Sequence, residues 1–293
     1  MDEAVISLYE AHPISAEQIL DELRARGMAL DSLSPEDLFP LDQDHYGGAD
    51  ATDALGLHAS LRADDAVLDL CSGLGGPARF VAWRFGCSVT GIDLTRARTD
   101  DARRLTDLVG LAGRVRFVHG DVTDLPFPDD SFDACLSQES LLHVGDKGRL
   151  FTECRRVLRP GGRIAFSDWA AQPNLGEDER ARLEHAFSAP GIATAASYVE
   201  HLRRAGFEGI ELDDLSEGWK PILLARLEMY RSLRERTVAR FGEEHFLSWE
   251  QEYAFMVGLA QDGKLGGARF AATAPSGYRA TTARSDSRNE LIE

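Results

Sequence analysis

At 293 residues with 43% apolar side chains, the chain is long enough for one large domain with additions, or for two small ones. Its net charge of −17 counts against a nucleic-acid backbone as partner, since counterion release needs clustered Lys and Arg, and the charge itself reads as solubility. No apolar run reaches the ~18 residues of a membrane span, and the opening Met-Asp-Glu-Ala lacks the basic region of a secretory signal. The four cysteines form no C-x-x-C pair, so they read as buried thiols of a cytoplasmic protein, not as metal ligands or disulfides. Residues 2–27 read as two short helices broken at His12-Pro13. The second opens with a capping-box pattern, Ser15-x-x-Gln18, and carries Ile19, Leu20 and Leu23 on one face. A Pro-containing link, 33–40, leads to a polar segment, 41–52, dense in Gln43, His45 and Tyr46. A cap on the following helix, 51–61, explains Asp50 but not the bunching of those three.

The next stretch organises the chain. Residues 66–70, apolar except for Asp69, read as a short buried strand. It breaks into Ser72-Gly73-Leu74-Gly75-Gly76 and restarts with helical spacing over 78–85. In such a corner Gly73 and Gly75 let a ligand approach the backbone, and the helix N-terminus aims free N–H groups at it. The residues also fit G-x-G-x-x-A, with Asp93 following at the expected distance of about 20, so the corner alone leaves a nicotinamide enzyme open. A second strand, 88–93, ends in Asp93, which suits two ribose hydroxyls. The helix 96–108, with Arg96 and Arg98, has a charged outer face that reads as solvated. A third strand, 114–119, is closed by Gly120-Asp121-Val122, and the fourth, 134–137, by Gln138-Glu139-Ser140-Leu141-Leu142-His143. A helix over 147–158 passes through Pro160-Gly161-Gly162 into a fifth strand, 163–168, and Trp169. Helices over 177–187 and 197–205 and a sixth strand, 209–215, follow. Before a last strand, 268–273, roughly 50 residues show helical periodicity, with Ile222, Leu223, Leu227 and Tyr230 on one face and Phe255, Met256 and Leu259 on another. Residues 274–293 are polar and unpatterned, a tail expected to be mobile.

Three acids at strand ends, Asp69, Asp93 and Asp121, occur in order with the Pro160-Gly161-Gly162 turn. With these the chain resembles the class I S-adenosylmethionine-dependent methyltransferases over roughly residues 46 to 215. Segment 41–52 is similar to the D-Q-x-H-x-G-G-x-x-A-T stretch of glycine, sarcosine and dimethylglycine methyltransferases, in which an N-terminal arm covers the cofactor. Segment 137–143 resembles the S-Q-D-x-x-L-H of that group and the R-D-x-x-L-H of phosphoethanolamine methyltransferases, in which the histidine acts in catalysis. His143 takes that position, Glu139 replaces the usual Asp, and Cys71 stands where the family has its first glycine.

The resemblance implies an α/β, Rossmann-like, doubly wound and mostly parallel seven-stranded sheet. The expected divisions are an N-terminal helical lid (1–45), a cofactor-binding core (46–220), an inserted helical lid or homodimer element (221–265), the last strand (266–275) and the tail (276–293). It implies S-adenosyl-L-methionine as cofactor, S-adenosyl-L-homocysteine as product, and a small-molecule acceptor as partner, with no nucleic acid, membrane or metal. Asp69 is expected to hold the methionine ammonium, Gly73 and Gly75 to admit that moiety, and Asp93 to bind ribose, with Ser72 and Leu94 also at the cofactor. Asp121 and Val122 are expected to read adenine, and Gln138 completes the set. His143, Glu139 and Tyr46 are the candidate catalytic residues. An acidic loop with Tyr46, Trp169 and Trp219 nearby suits a cationic amine, through charge and cation–π contact. Carbon, oxygen or sulfur methylation of a natural product stays open, as does a non-catalytic cofactor-binding protein.

Overall fold

The computed structural model describes residues 2–10 and 14–277. The expected break at His12-Pro13 and the tail beyond residue 277 lie outside the described residues. Helices α1 (Asp2–Glu10), α2 (Ala16–Ala25), α3 (Pro35–Asp42) and α4 (Gly48–His58) precede the sheet. Ser15 caps α2 by accepting the Gln18 N–H at 3.4 Å, and Ile19, Leu20 and Leu23 are buried on the expected face. The expected link over 33–40 is instead helical from Pro35. The Ser34 N–H and hydroxyl both donate to Asp37, and Pro35 sits in the first turn, where its missing N–H costs nothing.

From there strand and helix alternate: β1 (Ala66–Leu70), α5 (Gly76–Phe85), β2 (Ser88–Asp93), α6 (Arg96–Leu108), β3 (Val115–His119), β4 (Phe132–Gln138), α7 (Lys147–Val157) and β5 (Leu158–Ala171). Then come α8 (Glu177–Ala186), α9 (Ala195–Arg204), β6 (Glu208–Asp214), α10 (Ser216–Ser232), α11 (Arg234–Phe241), α12 (Glu243–Gln261) and β7 (Leu265–Thr273). The sheet order is β3-β2-β1-β4-β5-β7-β6, parallel except for β7, which pairs antiparallel with both neighbours. This is the Rossmann-like, seven-stranded fold expected. Chain order reverses between β1 and β4, so their carboxyl ends open the crevice where ligands sit in such sheets.

Burial explains the strand sequences. Val67 to Leu70 and Val89 to Asp93 are buried on both faces, hence the near-continuous apolar runs. Behind β5, Phe166 stacks on Phe270 at 4.7 Å and meets Tyr198 and Phe151, rings worth about 1.5–3 kcal/mol each when fully buried. β5 is longer than expected because it takes in the Pro160-Gly161-Gly162 turn, with Gly161 at φ 77° and a register shift opposite Phe132 and Ala134. The inserted helices begin at Ser216, ahead of the expected 221, which places Trp219 inside α10. Leu223, Leu227, Met256 and Leu259 form a second core with Trp169 and Leu183.

The N-terminal helices are not equivalent. On α5, Arg79 is completely buried and pairs with Asp42 of α3 at 2.9 Å, while also donating to Ala102 O and Thr106 Oγ1. Leu20, Leu23 and Leu38 share an apolar cluster with Leu105 of α6. The helices α2 and α3 are therefore built into the fold, whereas α1 lies over the crevice.

Candidate active site

Two residues just past the strand ends adopt left-handed backbone without being glycine: Cys71 at φ 55° after β1, and Glu139 at φ 47° after β4. Strain of this kind, of order 1–3 kcal/mol each, persists where the surroundings over-determine the turn. Here the Ser72 N–H donates to Ile92 O at 3.0 Å and the Glu139 N–H to Ser167 O at 2.7 Å. Between the turns opens a cavity of about 350 Å³.

Of the residues expected at the cofactor, Ser72, Gly73, Asp93, Leu94, Asp121, Val122 and Gln138 line this cavity. Gly73 has φ 52°, and a Cβ there would meet nothing within 4 Å, so its wall is open space. Gly75 departs from expectation. It does not line the cavity, and a Cβ on it would collide with the Phe117 ring, so it serves the packing of α5 on the sheet. Asp93 accepts the Gly73 N–H at 2.9 Å and the Thr95 N–H at 2.8 Å, while burial raises its pKa against those bonds. Asp69 also lies outside the lining; it is 4% exposed, and its Oδ2 has no partner among the described residues. Burial first, and then the charge of Asp93, push its carboxyl up to about 8.

The strap 42–46 closes one side of the cavity. His45 lies between Gln138, whose amide donates to Nδ1 at 3.1 Å, and Gln43, whose carbonyl takes the Nε2 proton at 3.0 Å. Burial lowers its pKa to about 4, so the ring is neutral. The Tyr46 N–H donates to Glu139 Oε2 at 2.5 Å, and the Ser167 hydroxyl to Oε1 at 3.0 Å. Burial nevertheless holds the Glu139 carboxyl up at about 8.

His143 has both ring nitrogens engaged. Nδ1 lies 2.9 Å from Ser188 O, a carbonyl that can only accept, so the proton sits on Nδ1. Nε2 is left to accept from the Tyr9 hydroxyl, also at 2.9 Å. Tyr9 comes from α1, and burial raises its pKa, so it remains a donor. Arg98 stacks on the Tyr9 ring at 5.1 Å and donates to the Tyr9 carbonyl at 3.2 Å. Arg98 thus corrects the solvated reading of its helix, being only 5% exposed.

A second chamber of about 120 Å³ shares Tyr9, Asp44, Glu139 and His143 with the first cavity. Its other walls include Tyr46, Trp169, Phe187, Trp249, Tyr253 and Arg226. The Arg226 guanidinium stacks on Tyr46 at 4.9 Å and donates to the carbonyls of Asp44 and His45, pinning the strap to α10. The Tyr46 hydroxyl is turned to Met256 Sδ at 3.9 Å, and burial raises its pKa. That orientation suits a wall, not the catalytic hydroxyl expected. Trp219 packs edge-on behind Tyr46 at 4.9 Å and is not part of this chamber. Sequence reasoning missed Tyr9, Arg98, Phe187, Trp249 and Tyr253. Only Tyr9 carried a signal, sitting four residues after Val5 on the α1 face that lines the cavity.

Residues 68–166 match the family model described as a methyltransferase domain. The chain is 32% identical over 198 residues to 27-O-demethylrifamycin SV methyltransferase of Amycolatopsis mediterranei, spanning 67% of this chain and 73% of that one. It belongs to the S-adenosylmethionine-dependent methyltransferases. This methyltransferase is also 34% identical over 180 residues to glycine/sarcosine/dimethylglycine N-methyltransferase of Actinopolyspora halophila. The match spans 61% of the methyltransferase but 32% of that relative, so the chain covers about a third of the relative's length. Among solved structures, phosphoethanolamine N-methyltransferase 2 of Haemonchus contortus, in complex with S-adenosyl-L-methionine, superposes with a TM-score of 0.75 at 21% identity. That match spans 92% of this chain and 60% of the other and is a likeness of fold. The cofactor of the methyltransferase is S-adenosyl-L-methionine, and the residues present fit it. Asp69 Oδ2 and Ser72 Oγ are buried polar atoms without a partner among the described residues, and Gly73 faces open space. No helix among the described residues is long and apolar enough to cross a membrane.

Proposed function

We propose that this methyltransferase acts on the nitrogen of a small amine held in the chamber of about 120 Å³. The observation that carries the reading is Glu139, a buried carboxyl in the wall shared by both cavities, with aromatic faces across the chamber. A carboxyl held at about 8 by burial ionises when an ammonium approaches, releasing its proton to solvent as the acceptor enters, and the rings add cation–π attraction.

When bound, the cofactor supplies a methyl group already activated by its sulfonium. The chain has to align the acceptor, exclude water and manage one proton. In this reading Asp69 holds the methionine ammonium and Asp93 uses its remaining lone pairs for the ribose hydroxyls. Asp121 and the Val122 N–H face adenine, and Gln138, fixed by His45 and Thr52, bounds the transfer path. The ammonium proton passes to His143 Nε2 through the Tyr9 hydroxyl, which gives its own proton to Nε2 as it takes one from the acceptor. Helix α1 then acts as a lid that delivers Tyr9.

A second reading is methylation of a hydroxyl on a natural-product scaffold. A neutral His143 whose Nε2 accepts from the Tyr9 hydroxyl suits it, and the relative from Amycolatopsis mediterranei is named for 27-O-demethylrifamycin SV. Incubation with methyl-labelled cofactor and matched panels of amines and alcohols, read by mass spectrometry, separates the two. Label on small amines alone is expected, and label confined to alcohols would reject the amine reading.

A further inference from the structure

His143 rides on a single 3₁₀ turn, Leu141–His143, too short to hold itself. Its own bonds are His143 N–H to Ser140 O at 3.1 Å and Val144 N–H to Leu141 O at 2.9 Å. Beneath it lie two buried groups of opposite charge, Lys147 and Asp168, that neither cavity touches. Lys147, the first residue of α7, is 4% exposed, and its ammonium donates to Leu141 O at 2.7 Å and to Val144 O at 2.8 Å. Asp168 is fully buried near the end of β5 and accepts the Tyr198 hydroxyl at 2.5 Å and the Trp169 N–H at 2.8 Å. The Leu142 amide and the Lys147 charge both lower the Asp168 pKa against its burial, and the ammonium lies 5.4 Å from the Tyr198 ring centre.

We propose that Lys147 and Asp168 act as a buried positioning pair of opposite charge, in which Lys147 fixes the His143 turn through its carbonyls and Asp168 supplies the countercharge. The inference rests on the catalytic reading of His143. The pair meets the turn's polar backbone, and the segment 188–191 packs against both. There Ser188 O takes the His143 Nδ1 proton, and the Gly191 N–H donates to Leu142 O at 2.9 Å. Gly191 has to be glycine, since a Cβ would collide with Lys147 Nζ and Val144 O. Asp168 also accepts the amide of Trp169, a wall of the acceptor chamber. An ammonium has three donors, and two of them serve carbonyls of the turn, Leu141 O beside its bond from the Val144 N–H and Val144 O. An apolar side chain of the same length fills the space but takes the ammonium donor from both carbonyls, leaving Leu141 O only its bond from the Val144 N–H.

The test is Lys147→Met in the full chain, with three readouts. Cofactor affinity by calorimetry is expected to stay within about twofold of wild type, because Lys147 lies outside the cofactor cavity. The turnover rate kcat is expected to fall by about 10²-fold, the penalty of a misplacement near 1 Å. The ¹⁵N spectrum of the His143 imidazole is expected to change from a single Nδ1–H tautomer to a mixture. A wild-type spectrum with wild-type kcat overturns the proposal, as does a loss confined to cofactor affinity. Tyr198→Phe, which removes one bond to Asp168 and leaves no charge unpaired, is the second variant should Lys147→Met not fold. It is expected to blur the same imidazole signal with a several-fold loss of kcat, and an unchanged signal counts against the pair. His143→Ala separates the two readings. Wild-type turnover there rejects the catalytic histidine, while the spectrum of Lys147→Met still reports whether the pair holds the turn.

Discussion

Asp69 gives the most quantitative handle on cofactor binding. In the free protein its carboxyl is held up at about 8, so at pH 7 about nine molecules in ten carry it protonated. Pairing with the methionine ammonium needs the carboxylate, so binding must expel that proton. The expected release at pH 7 is about 0.9 proton per cofactor, and the affinity should rise about ninefold from pH 6 to 7, about fivefold from 7 to 8, and then level off. Asp69→Asn removes both the titration and the charge-assisted bond. At pH 8 it should lose about 1.5–3 kcal/mol, roughly 10- to 150-fold in Kd, and its curve should be flatter by the contribution of this one group. Calorimetry in two buffers of different ionisation enthalpy measures proton release directly, and the variant supplies the correction for the cofactor's own titration. Equal proton release by wild type and Asp69→Asn would refute the ammonium assignment.

Other consequences follow from the same geometry. Removing residues 1–10 takes Val5 and Tyr9 from the cavity and should end turnover with little change in melting temperature. Removing 1–45 also strips Asp42 and leaves Arg79 buried and unpaired, about 3–5 kcal/mol for the charge alone, so a cooperative melt should disappear. His143→Ala should lower kcat by about 10²–10⁴ at nearly constant cofactor affinity, and an unchanged pH–rate profile would remove it from the chemistry. Asp69 and Glu139 keep their protons when folded and lose them when unfolded between pH 4 and 8, so they make the free protein less stable as pH rises. Thermal melts across that range should show a shallower fall in the Asp69→Asn, Glu139→Gln double variant.

The cofactor side of the site was legible in the sequence because its constraints are local. A glycine at φ 52°, acids at three strand ends and a strand–turn–helix corner all leave marks within a few residues. The region around Pro35 misled because proline dominates local reading, while the Ser34–Asp37 cap decided the outcome. Side-chain direction was not legible. Gln43, His45 and Tyr46 do cluster at the site, yet Tyr46 contributes its N–H to Glu139 and turns its hydroxyl to Met256. Arg98 reads as surface on its own helix, yet it is buried with Tyr9 of α1 packed on it and Asp44 facing it. The acceptor chamber left least trace, since Tyr46, Trp169, Phe187, Arg226, Trp249 and Tyr253 meet only through tertiary packing, and isolated aromatics read as core.

The most direct test of the account is a crystal structure with S-adenosylhomocysteine and a small amine bound together. The account places the sulfur at the wall shared by the two cavities and the amine nitrogen in the aromatic chamber, between Glu139 and the Tyr9–His143 pair. A sulfur directed away from that wall, or an amine seated outside the chamber, would contradict it.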